Sequence, residues 1–161
     1  MERLVERLHS STLLEDRRDA CRALRSLSKK YRVEVGAQGM DALLTALEAD
    51  RIDSEMVTFI LECLLNITSP ELLDNEDAAA ENVGEQFTEI VCKRSDNITL
   101  FLTIMEEYDF RIRLPVIRLL TNLLVNRPKE IQEILLVSPL GISKIMDLLC
   151  DAREVIRNEV F

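Results

Sequence analysis

The sequence of 161 residues predicts an all-α fold, specifically a right-handed α-solenoid built from helical repeats. Three observations predict it. Apolar residues recur at helical spacing along nearly the whole chain, and a short leucine-rich motif returns after 40 residues. No stretch alternates apolar and polar residues as a half-buried strand would. Apolar residues make up 47% of the chain, which is enough to form a core.

The predicted helices are read from their apolar stripes, taken in chain order. The first stripe combines Ala20, Leu24, Leu27 and Tyr31, which share one helix face. Further stripes of the same spacing cover residues 40–47, 57–64, 98–105, 116–124, 131–135 and 142–149.

Several residues indicate where these helices begin. Residues 12–15 match a capping box, and Asp53 and Asp109 can each cap a following helix. Pro128 is predicted to be the first residue of another helix, where its missing N–H costs nothing because that group would have no intrahelical acceptor. We expect Pro115 either to bend its helix or to separate two short helices.

A five-residue motif carries the repeat. Residues 23–27 recur as residues 63–67 and again as residues 119–123, at offsets of 40 and 56. A helical period near 40 residues is typical of armadillo or HEAT repeats. An offset of 37 also matches the first two helices, because leucines spaced three and four apart match themselves. We predict about three to four armadillo-like repeats over residues 1–161, incomplete at the C-terminus.

An acidic segment accounts for the longer second offset. Residues 69–86 carry six acidic side chains, no Lys or Arg, and few large apolar groups. Such a composition cannot bury enough apolar surface to fold on its own. We therefore predict that residues 69–86 form an exposed, largely disordered insertion loop.

Composition and charge disfavour several classes of function. The net charge of −9 argues against a nucleic-acid binder. The four cysteines, Cys21, Cys63, Cys92 and Cys150, are far apart, and His9 is the sole histidine, so we expect no metal and no cofactor. The charged N-terminus lacks the apolar core of a signal peptide, and no apolar run is long enough to span a bilayer. We expect a cytoplasmic protein with reduced cysteines.

Four basic residues of the first predicted helix share one face, spaced four, three and four residues apart. This basic stripe consists of Arg18, Arg22, Arg25 and Lys29. One interpretation is a solvated face paired with nearby carboxylates such as Glu15 and Asp19. The other is a docking surface for an acidic segment of a partner.

The repeated motif resembles the L-x-N-L element of armadillo proteins. In those proteins the helix that bears this element lines the concave face, and its Asn can hold the backbone of a bound peptide. The resemblance implies a protein-binding ridge along the repeats. Its members would be Arg22, Ser26, Glu62, Asn66, Arg118 and Asn122. The nuclear-import adaptors of this class use a tryptophan ladder, and the absence of Trp here disfavours their function.

Longer segments resemble one family. Residues 10–32 look like the start of the Uso-type vesicle-tethering factors, the general vesicular transport factor family. Residues 86–90, 109–115 and 136–158 agree with the same family, and the acidic insertion falls where the family has one. The resemblance implies an armadillo-like globular head without catalytic activity, which tethers vesicles in ER-to-Golgi and intra-Golgi transport.

The resemblance also implies partners and a location. The partners would be a Rab GTPase, SNAREs, and golgins or other tethering complexes, with no nucleic acid and a possible homodimer. The protein would be cytoplasmic and peripherally associated with Golgi and ER–Golgi transport membranes. Three alternatives stay open: a generic armadillo-type scaffold with unrelated partners, an enzyme with a carboxylate site, and a shortened copy with little function of its own.

Overall fold

A computed structural model describes residues 1–73, 75–77, 80 and 82–138. Within these ranges the chain forms helices and no strand, which confirms the all-α prediction. The helices are α1 (Glu2–Ser10), α2 (Leu14–Ser28), α3 (Arg32–Ala49), α4 (Ser54–Thr68), α5 (Val83–Cys92), α6 (Ser95–Glu107), α7 (Phe110–Asn126) and α8 (Pro128–Val137). The predicted stripe at residues 142–149 and Cys150 lie outside the described residues.

The chain divides into two compact units, Met1–Gly84 and Glu85–Phe161. In unit 1, α2 packs beside α4, α1 packs on α2 and α3, and α3 packs on α4. Fully buried leucines and isoleucines fill the space between them, among them Leu24, Leu43 and Ile60. The first two copies of the five-residue motif therefore lie on neighbouring helices, as expected for successive repeats.

Two predictions at the ends of α2 are wrong. The helix begins at Leu14 after Leu13, and no side chain caps it, so Thr12 lies one residue too early to act in a capping box. At the other end, Tyr31 lies beyond the last residue of α2 and is 49% exposed, so it does not extend the apolar stripe. The prediction for Asp53 is confirmed, because its Oδ1 accepts a 2.9 Å hydrogen bond from the Met56 N–H.

The acidic insertion begins where α4 ends. The next helix, α5, starts at Val83, so residues 83–86 form its first turn and not the end of a loop, as the sequence suggested. Gly84 explains how the two ends of the insertion meet. A Cβ atom at Gly84 would lie 2.2 Å from the carbonyl oxygen of Ser69, a distance that no side chain permits. The backbone at Gly84 thus lies directly against the residues that end α4.

In unit 2, α6 packs on α7, and α7 packs on α8. Phe101 of α6 and Leu119 and Leu123 of α7 are fully buried. Asp109 caps α7 as predicted, by accepting a 3.1 Å hydrogen bond from the Arg111 N–H. α7 continues without a break through Pro115, so this proline does not separate two short helices. Pro115 stands in the second turn, where its missing N–H removes a single intrahelical hydrogen bond.

Candidate protein-binding surface

The basic stripe lies on α2 in unit 1, where α2 packs beside α4. Arg18 forms a two-point ion pair with Asp53, the residue that caps α4, and its Nε lies 3.8 Å from Glu55. Arg25 donates a 3.1 Å hydrogen bond to Glu62 near the middle of α4. These two arginines of the stripe therefore join α2 to α4.

The other two residues of the stripe are more exposed. Arg22 is paired with Asp19, one turn earlier on α2, at 3.1 Å, and both side chains are about half exposed. Lys29 is exposed at the end of the helix. The interpretation of a stripe paired with carboxylates is thus correct for Arg22 and its predicted partner Asp19. The partners of Arg18 and Arg25 come instead from α4.

These α4 partners could have been found from the sequence. Arg18 and Asp53 are 35 residues apart, and Arg25 and Glu62 are 37 apart. Both separations are close to the alternative repeat offset of 37. Opposite charges at the repeat length are therefore the signal that predicts pairing between equivalent helices.

Ion pairing stabilises the charged forms of Arg18 and Asp53. The hydrogen bond to Asp53 raises the pKa of the Arg18 guanidinium, against the effect of desolvation. The hydrogen bond from Arg18 likewise lowers the pKa of Asp53, helped by the Met56 N–H and opposed by desolvation. Both shifts extend the pH range over which the pair keeps its opposite charges.

Phe59 is a member of this surface that the sequence analysis missed. The guanidinium carbons of Arg22 and Arg25 lie 5.4 and 4.7 Å from the centre of its ring. At these distances both cations interact with the face of the ring. In the sequence, Phe59 lies among the apolar residues of α4. Nothing in its spacing distinguishes it from a residue of the core.

The side chain of Asn66 forms a hydrogen bond within unit 1. Its Nδ2 donates a 2.9 Å hydrogen bond to the hydroxyl of Ser28, a fully buried residue at the end of α2. The predicted equivalent on α2 was Ser26, which is exposed. The amide nitrogen that would contact a bound peptide in the armadillo pattern thus contributes to the packing of α2 against α4.

Arg118 and Asn122 lie on α7 in unit 2, where Arg118 is exposed and Asn122 half-buried. Both take part in interactions within the structure. The single ridge that would unite them with the residues of α2 and α4 stays a prediction. The structure does show Asn126, four residues after Asn122, in the role that Asn66 has in unit 1: its Nδ2 donates a 2.8 Å hydrogen bond to the buried Thr88 hydroxyl.

The described cysteines form no disulfide with one another. Cys21 and Cys63 are buried and Cys92 is half-buried. Burial raises the pKa of Cys21 to about 12 and that of Cys92 to about 11, and it raises that of Cys63 further. Within the described parts of the chain, no three His, Cys, Asp or Glu side chains are grouped so that they could hold a metal ion. None of the helices described is long and apolar enough to cross a membrane.

Comparison with known proteins identifies relatives of the chain. It is 50% identical, over 99% of its length, to human general vesicular transport factor p115. The chain is homologous to part of the general vesicular transport factors. It is also 30% identical, over 98% of its length, to intracellular protein transport protein uso1 of Schizosaccharomyces pombe. The chain spans 17% of p115 and 14% of uso1. No family model matches the sequence.

A solved structure supports the armadillo-like fold. The crystal structure of Uso1-1 matches 99% of this chain with a TM-score of 0.86 and 29% sequence identity, and the chain covers 27% of that structure. The prediction of an all-α, armadillo-like repeat fold and the resemblance to the Uso-type family are therefore confirmed.

Proposed function

We propose that this chain is part of a non-catalytic vesicle-tethering head that binds membrane-trafficking proteins in ER-to-Golgi and intra-Golgi transport. The observation that carries the proposal is the 50% identity to a general vesicular transport factor over 99% of the chain. A tethering head works by presenting a surface and requires no reacting group. The buried thiols of Cys21 and Cys63, protonated at neutral pH, are in keeping with such a role.

The proposed partners are a Rab GTPase, SNAREs, and golgins or other tethering complexes. The proposed location is the cytoplasmic side of Golgi and ER–Golgi transport membranes, reached through these partners. Peripheral attachment of this kind leaves the charged surface of the helices free to contact protein.

Within unit 1, we assign partner binding to the α2–α4 surface, defined by Arg22, Ser26, Lys29, Phe59 and Glu62. The side chains of Arg22 and Glu62 are 53% and 41% exposed, and Arg22 lies over the Phe59 ring. Arginine and aromatic side chains are the groups that most often carry binding energy at protein interfaces. Arg118 and Asn122 are proposed as contacts of the same kind on α7.

Binding to purified partners tests this assignment. The immobilised chain is incubated with a panel of GTP-loaded Golgi Rab GTPases and SNARE cytoplasmic domains, beside the double variant Arg22→Glu, Lys29→Glu. These two residues are chosen because neither is paired with a carboxylate of α4, so the variant should keep its helicity. We expect the wild type to retain at least one member of the panel and the variant to retain about tenfold less.

A matched control reverses two exposed charges elsewhere. The variant Lys93→Glu, Arg94→Glu makes the same change in net charge on unit 2. Equal losses in both variants would show that net charge and not the α2–α4 surface governs binding. Retention of no panel member by the wild type, with a diffuse cytosolic distribution in cells, would favour the generic armadillo scaffold with unrelated partners.

A further inference from the structure

Arg32 is a buried cation at the start of α3. Its side chain is 1% exposed, and each of its three guanidinium nitrogens has an acceptor. Nε donates a 3.0 Å hydrogen bond to Oε2 of Glu76, and Nη2 lies 2.9 Å from Oε1 of the same carboxylate. Nη1 donates a 2.8 Å hydrogen bond to the carbonyl oxygen of Ser69, just after α4. The geometry is the two-point arrangement that makes arginine–carboxylate pairs strong.

Glu76 belongs to the acidic insertion, and its carboxylate is bound both by Arg32 and by a backbone N–H of the insertion itself. Its Oε1 also accepts a 2.8 Å hydrogen bond from the Leu73 N–H, and its own N–H donates to the Leu73 carbonyl at 2.9 Å. Next to it, Asn75 donates a 2.9 Å hydrogen bond to the carbonyl oxygen of Lys30. Leu73 thus holds the Glu76 carboxylate in place, and Asn75 contacts the connection between α2 and α3.

A buried guanidinium requires a counter-charge, because transfer of an unpaired ion out of water is costly. The insertion supplies it through Glu76, whose side chain is 10% exposed. Burial acts to raise the pKa of Glu76, but the hydrogen bonds from Arg32 and Leu73 outweigh it and lower the pKa. The carboxylate is thus charged at neutral pH, and the pair is complete.

We propose that Arg32 and Glu76 form a latch that fastens the acidic insertion to the start of α3. Opening of the latch releases the segment that carries Leu72, Leu73 and Glu76 while α2, α3 and α4 stay packed. This inference does not depend on the proposed function. It also departs from the composition of the segment, which alone predicts disorder.

Protease cleavage within the insertion tests the latch. Thermolysin cleaves before leucine, so it reports on Leu72 and Leu73, and the primary specificity pocket takes neither of the substituted residues. Cleavage before Leu73 is the readout, because Glu71 does not border that bond. We compare the wild type with Glu76→Gln, which keeps the shape of the side chain, and with Glu71→Gln, which removes an exposed charge from the same segment. We expect Glu76→Gln to be cleaved about tenfold faster, and Glu71→Gln to match the wild type.

Equal cleavage of all three proteins, or equal acceleration by both variants, would overturn the latch. If Glu76→Gln lost its helicity, hydrogen exchange in the wild type would decide instead. The Leu73 N–H donates to Glu76, so a closed latch predicts slow exchange at Leu73, slower than at the exposed Leu72. Exchange at Leu73 as fast as in an unfolded peptide would contradict the proposal.

Discussion

The two units share one polar contact and differ in how they arrange charge. In unit 1 Asn66 donates to Ser28, and in unit 2 Asn126 donates to Thr88. Each donor follows its acceptor by 38 residues, and each hydroxyl residue is fully buried. The bond thus recurs at one separation in sequence in both units.

The ion pairs do not recur in the same way. In unit 1 they are spread along α2, where Arg18 and Arg25 meet different carboxylates of α4. In unit 2 a single residue, Arg127, meets Glu85, Glu89 and Glu130 at 3.6, 3.0 and 2.7 Å. The comparison indicates that a neutral buried hydrogen bond maintains the register between repeats, while the exposed charges are free to differ.

The acidic insertion is a further difference, because it ends unit 1 in a backbone contact at Gly84. We expect Gly84→Ala to lower the free energy of unfolding by about 1–3 kcal/mol, since the added Cβ would meet the Ser69 carbonyl oxygen at 2.2 Å. Urea unfolding followed by circular dichroism measures the change.

Gly39→Ala is the matched control within the same unit. Its Cβ would lie 3.6 Å from Val5, an ordinary contact, so removal of a helix glycine should stabilise the protein by about 0.5–1 kcal/mol. A gain in stability at Gly84 like that at Gly39 would show that the close approach of α5 to Ser69 is absent.

The sequence predicted α2, α3, α4, α6, α7 and α8 because apolar spacing is a local property, but it did not predict α1 or α5. It also found Asn66, since the L-x-N-L motif is local too. It did not find the acceptor Ser28, because the motif alignment selected Ser26, two residues away and on the exposed side of α2. In unit 2 the same motif selected Asn122, whereas the bond to Thr88 is made by Asn126.

The contacts of Arg32 and Arg127 could not be predicted for a different reason. The contacts of Arg32 depend on the path of the acidic insertion, and those of Arg127 depend on where α5 begins. The segment has no apolar period that would mark either one. A buried arginine such as Arg32 also looks like an exposed one in a single sequence. The latch is therefore a property of the three-dimensional arrangement of loop and helix ends.

Removal of the shared hydrogen bond tests the first half of the comparison. We expect Asn66→Ala and Asn126→Ala each to reduce the free energy of unfolding by about 1 kcal/mol, because each deprives a buried hydroxyl of its donor. The double variant should lose the sum, since the two bonds share no partner. A clear loss at one site and none at the other would mean that the bond does not have the same role in both units.

Removal of the surface ion pairs should have the smallest effect on stability, and high salt should remove that effect. Arg127→Gln takes the cation from three carboxylates, whereas Arg25→Gln breaks a single pair with Glu62 and a contact with Phe59. The three glutamates would then repel one another, so the urea midpoint should fall further for Arg127→Gln than for Arg25→Gln at low ionic strength.

Urea unfolding at high salt distinguishes repulsion between the glutamates from the loss of packing contacts, because salt screens only the repulsion. At about 1 M salt the Debye length is about 3 Å, so most of the difference between the two midpoints should disappear. Equal midpoints at low salt would show that Arg127 contributes no more than an ordinary surface pair. A difference that persists at high salt would instead place the contribution of Arg127 in its contacts with α5 and α8, and the contrast between dispersed and concentrated charge would then not explain the stability of unit 2.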